Sequence, residues 1–116
     1  MEMSNLQALH KFVLDRCDDD HTGLWVIVRR VREAFPNARP AEIRDMTLSI
    51  LRDLLDAGLI VAGFPTRSGQ FDPFTSSTEG TLLRIQTEWD QLGREPDIGD
   101  VVWFATPRLV EQCGVP

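Results

Sequence analysis

His10 and His21 are the only imidazoles in the chain, and Cys17 and Cys113 the only thiols. Together they bound the general-base and nucleophilic chemistry available. His10 lies next to an apolar stripe at helical spacing and Cys17 completes that stripe, so packing is the expected role of both. No Gly-rich phosphate loop, nucleophile elbow, His-Glu-x-x-His or paired Cys-x-x-Cys accompanies them. The expectation is a protein that is not an enzyme and carries no cofactor. Asp18-Asp19-Asp20-His21 offers carboxylate and imidazole ligands, but adjacent residues in a short turn seldom converge on one ion and no second cluster completes a shell. No metal is expected there; the run reads as a solvated acidic turn whose last members cap the next helix.

Binding is the chemistry that remains. Asp18, Asp19 and Asp20 are the densest charge in the chain and can steer a basic protein partner. Phe71 and Phe74 interrupt a stretch rich in Pro, Gly, Ser and Thr. They are the candidate aromatic contacts to that partner, the other reading being that they pin the stretch to the body. Seven arginines support nucleic acid instead: Arg29, Arg30, Arg32, Arg39, Arg44, Arg52 and Arg67. Under that alternative Arg39, Arg44 and Arg67 carry the phosphate and groove contacts. Glu42, Asp45, Asp53 and Asp56 share a segment with three of the seven and offset them. Residues 1–66 hold 8 basic and 10 acidic side chains, and residues 67–116 hold 4 and 8, so neither half is a basic module.

The 116 residues set 12 Lys and Arg against 18 Asp and Glu, a net charge of −6, with 42% hydrophobic and 26% charged residues. These values suit one globular domain spanning residues 1–116 and exclude a disordered tail, a collagen-like repeat and a disulfide scaffold. They also disfavour a general nucleic-acid coat. Met1-Glu2-Met3-Ser4-Asn5 lacks the basic start and apolar core of a signal peptide. The longest uncharged apolar-rich stretch, Ala57–Pro65, is too short to span a membrane. A cytoplasmic protein with reduced thiols and no membrane contact is expected.

Four main helices must position these residues. Leu6, Leu9, Val13 and Cys17 mark the first, with Ser4 or Asn5 as cap. Leu24, Ile27, Val28, Val31 and Phe35 mark the second, with Thr22 as N-cap and Pro36 as stop. The third starts at Pro40 and ends at Gly58, a natural left-handed C′ residue. It has two apolar sides, Ile43-Met46-Ile50-Leu54 and Leu48-Leu51-Leu55, which places it at the centre of the fold. Leu82, Ile85, Trp89 and Leu92 mark the fourth, preceded by a Ser76-x-x-Glu79 capping box and stopped at Gly93. Leu59–Phe64 and Val101–Ala105 are read as strands of a small sheet, and Pro65–Gly80 as a loop. Trp25, Trp89 and Trp103 sit in or beside apolar runs and are expected in the core.

Leu51-Arg52-Asp53-Leu54-Leu55-Asp56-Ala57-Gly58-Leu59-Ile60, a leucine-rich helix end running through glycine into an apolar strand, resembles the winged helix-turn-helix family over residues 5–75. The resemblance implies an α+β, winged-helix-like fold. In DNA-binding members the third helix would enter the major groove and the wing, here near Arg67, would touch phosphates. Two features depart from that pattern: a third helix of some eighteen residues, and a whole amphipathic helix before Val101–Ala105. The expected function is therefore a non-enzymatic, cytoplasmic, bacterial-type adaptor binding another, basic protein. A small acidic immunity or antitoxin protein is one concrete form, and a homodimer is compatible with it. The alternative is a winged-helix transcriptional regulator.

Overall fold

The structure, a computed structural model, describes residues 2–116. Five helices and four short strands follow one another as α1 (Glu2–Asp19), β1 (Thr22–Gly23), α2 (Leu24–Ala34), α3 (Pro40–Asp56), β2 (Val61–Pro65), β3 (Phe71–Pro73), α4 (Thr78–Leu92), β4 (Trp103–Ala105) and α5 (Pro107–Cys113). The class is α+β, as expected, with five helices rather than four.

The strands form one antiparallel sheet in the order β1-β4-β2-β3. The last strand in sequence thus occupies an interior position. Phe104 stands opposite Thr22 on one side and Ala62 on the other, and it is fully buried. The two expected strands do share this sheet, through the register Val61↔Ala105. The expected loop 65–80 contains a third strand, because a hairpin folds Phe71–Pro73 back onto β2. Its tip is closed by the Thr66 N–H donating to the Gln70 carbonyl at 2.8 Å, with Gly69 left-handed at φ +83.

α3 is the central helix. Ile43, Thr47, Ile50, Leu51 and Leu54 are buried, and the helix packs against α1, α2 and α4. It ends in a Schellman motif: the Leu59 N–H reaches the Leu54 carbonyl and the Gly58 N–H the Leu55 carbonyl, both at 3.0 Å. Gly58 has φ +70, as its place in the sequence predicts. The other helix stop, Gly93, is left-handed too.

Three helix starts differ from expectation. α1 begins at Glu2, so Ser4 and Asn5 lie inside it. Gly23, not Thr22, precedes α2, since Thr22 is drawn into the sheet opposite Phe104. Ser77, not Ser76, caps α4 by accepting the Gly80 N–H at 3.2 Å. Two clusters of buried side chains result, a main one among α1–α4 and the sheet, and a smaller one of Phe71, Ala105 and Leu109. Trp89 belongs to the main one. Trp25 and Trp103 are only half-buried and meet edge to face at 4.8 Å. No described helix is long and apolar enough to cross a membrane.

Candidate functional site

The acidic run is not a free turn. Asp18 and Asp19 belong to the last turn of α1, and Asp18 is tied across the molecule. The Arg108 guanidinium donates to both carboxylate oxygens at 2.9 Å and to the Asp18 carbonyl at 3.0 Å. The Thr106 hydroxyl adds a fourth bond at 2.8 Å. This donor set holds the Asp18 carboxyl below the ordinary range, Arg108 foremost and Thr106 next. Asp18 is therefore a strap between α1 and α5, in correction of its reading as a freely projecting charge. Asp20 accepts the His21 N–H at 2.8 Å. Asp19 and Asp20 alone of the three remain exposed.

The two phenylalanines part company. Phe71 is 0% exposed and sits in the smaller core cluster, so its reading as a surface contact is corrected: β3 turns it inward, and it anchors the hairpin. Phe74, half-buried, meets Phe64 edge to face at 5.4 Å. The Arg84 guanidinium from α4 lies over both rings, 4.1 Å from the Phe74 centroid and 5.6 Å from that of Phe64. Phe64 is itself an exposed large hydrophobic, as is Leu83 beside Arg84. Aromatic rings with an arginine have the composition of a protein-binding hot spot. Phe64 and Arg84 were not singled out from the sequence, because each acquires meaning only once β2, β3 and α4 meet.

The arginines assigned to nucleic acid are mostly engaged. Arg39 is 3.4 Å from Glu42, whose carboxylate also accepts the Arg39 N–H at 2.9 Å and so caps the start of α3. These bonds from Arg39 hold the Glu42 carboxyl below its ordinary range. Arg44, half-buried, reaches Asp90 of α4 at 3.2 Å, and Arg52 pairs with Glu79. Arg67 is exposed at the hairpin tip and forms no ion pair among the described residues. Glu42, Asp45, Ser49, Asp53 and Asp56 are all exposed along α3, with Glu42 against Arg39, Asp45 3.8 Å from Arg44 and Asp53 against His10. Their helical spacing makes one acidic stripe along the helix.

The remaining reactive groups are two thiols and two imidazoles. Burial pushes the Cys17 thiol up to about 12, against a smaller lowering by the Thr22 hydrogen bond, so it stays protonated at neutral pH. Both cysteines are free. His10 joins α1 to α3, with Nδ1 against the Leu6 carbonyl and Nε2 3.0 Å from Asp53. His21 lies against Phe71 with ring centroids 5.1 Å apart. Among the described residues no three or more His, Cys, Asp or Glu are grouped to hold a metal ion. A scan of protein-family models, a search of curated proteins and a search of solved structures each find no match to this chain.

Proposed function

We propose that this chain is a non-enzymatic protein-binding domain on a winged-helix-like scaffold, and that the exposed face of α3 receives a basic protein. The carrying observation is the exposed acidic stripe Glu42, Asp45, Asp53 and Asp56 along α3. Placed against phosphates, four carboxylates oppose binding. Placed against a basic protein, they speed encounter and fix orientation. The Phe64–Phe74–Arg84 cluster supplies the apolar contact that charge alone does not. Three helices followed by a β-hairpin support the scaffold assignment. A cytoplasmic immunity- or antitoxin-type protein is the concrete form of this reading, since a basic nuclease-like target suits a domain of charge −6.

The regulator reading keeps one observation, the exposed Arg67 at the hairpin tip. Gel shift with duplex DNA separates the two. The protein-binding reading expects weak binding without sequence preference that falls steeply with salt. Sequence-selective binding at roughly nanomolar concentration and physiological salt overturns it. For the partner, purified wild type and a variant with all four α3 acids changed to their amides are compared as baits in native-cell extract. Candidates retained by wild type alone are then purified and titrated against both forms. The four-site variant should lose association rate, by an amount that shrinks at high salt.

A further inference from the structure

Between α4 and β4 the chain forms a loop, residues 93–102, that is fastened at every turn. The Asp100 carboxylate accepts from the Arg94 guanidinium at 2.7 Å and from the Asp97 N–H at 2.8 Å. The Asp97 carboxylate accepts the Ile98 N–H at 2.8 Å, and the Asp97 carbonyl the Asp100 N–H at 2.9 Å. Pro96 is buried, and Val101 packs against the main core. Val101 does so at φ +72, and no other non-glycine among the described residues has positive φ. A β-branched residue is strained there, and such strain persists where surrounding structure imposes it, most often at binding sites. All this fastening holds Ile98 out in water: it is 74% exposed, more than any other large hydrophobic side chain described.

Beside the loop lies a cleft of about 470 Å³ between the start of α3 and the end of α4. Pro40, Ala41, Ile43 and Trp89 supply its apolar wall. Its charged residues are Arg44, Asp90, Arg94 and Glu95, two of each sign, so the face is neutral in a chain of charge −6. Two copies meeting by their acidic faces add local repulsion to that of their net charge, whereas over this face only the net charge opposes contact. Arg94 and Glu95 belong both to the fastened loop and to the cleft wall, so the projecting side chain and the socket are neighbours. A two-fold contact needs that arrangement, because each copy must both give and receive.

We propose that two copies of this chain associate through a two-fold contact in which Ile98 of each seats in the Pro40–Trp89 cleft of the other. This dimer is independent of the acidic-face reading and has the opposite salt dependence: screening the net repulsion strengthens it, while the same salt weakens capture of a basic protein.

Sedimentation equilibrium of the full chain tests it, from low micromolar to roughly 1 mM and at low and moderate salt. A reversible dimer that tightens with salt is expected. Ile98→Asp should weaken it on the order of tenfold or more with an unchanged melting curve, since the side chain is exposed. Ala41→Arg, on the exposed first turn of α3, should block the socket to a similar extent. An equimolar mixture of the two variants should associate better than either alone, because one of its two contacts is native. A wild-type chain that stays monomeric throughout overturns the proposal. So does a dimer that neither substitution disturbs.

Discussion

A Cβ built at Gly58 meets nothing within 4 Å, so a substitution there is opposed by backbone conformation alone, at φ +70. Gly58→Val is expected to cost about 1–2 kcal/mol, seen as a lower urea midpoint with unchanged slope. Gly63 is the opposite case. Its Cβ would lie 2.3 Å from the Asp72 carbonyl oxygen, where β3 crosses close beside it. Gly63→Ala should cost about 1–3 kcal/mol through overpacking of the hairpin. Phe71→Ala should lose about 3–5 kcal/mol of stability and leave partner dissociation unmoved where folding persists, as befits a core residue. Asp18 makes the pH prediction. Its folded carboxyl is depressed, so its contribution is fully present above the ordinary carboxylate range near 4 and is lost as pH falls through the lower folded value. Asp18→Asn should therefore lower the melting temperature at pH 7, and the difference from wild type should shrink as pH falls below the ordinary carboxylate range. Gly58 was legible in the sequence because a helix end is a local pattern. The role of Asp18 was not, because Arg108 lies 90 residues away.

At the scale of elements, long periodic segments were readable and short ones were not. The apolar spacing of α2, α3 and α4 marks their buried faces directly, with Ile43, Ile50 and Leu54 on one side of α3 and Leu51 on the other. β1 has two residues and β3 three, one of them Pro73, too few to display a period. α5 is seven residues long, yet Thr106-Pro107 at its start is a cap followed by a proline at the first helical position, a signal present in the sequence but unused. The exposed aromatic cluster escaped for another reason: Phe64 and Phe74 sit on different segments, and only antiparallel pairing of β2 with β3 brings them together. Two caps give a graded test. Ser77→Ala removes a single bond to the Gly80 N–H and should cost about 1 kcal/mol. Thr106→Ala removes the bond from the Leu109 N–H and also the bond to Asp18. Its midpoint in urea should fall further than that of Ser77→Ala, and combining it with Asp18→Asn should be less than additive.

Over the whole molecule, the sheet order places the closing strand late. β4 lies between β1 and β2, so Trp103–Ala105, late in the sequence, join a strand near its start to one near its middle. A chain ending at Asp100 should show helical circular dichroism without a cooperative thermal transition, because β1 loses its only strand partner and Phe104 leaves the core. A sharp transition in that fragment would show that the helices suffice.

That order also sets a timetable. On the ribosome, β2 and its hairpin partner are complete about thirty residues before β4 exists, a delay of a few seconds at roughly 5–20 residues per second. Throughout that interval the side of β2 destined for β4 is an unpaired edge, with buried-to-be Ala62 and the exposed Phe64 along the same strand. Nascent chains crowded on one message can pair there with one another. Slowing synthesis between Pro65 and Trp103 should therefore lower the soluble yield of a protein whose finished form is unchanged.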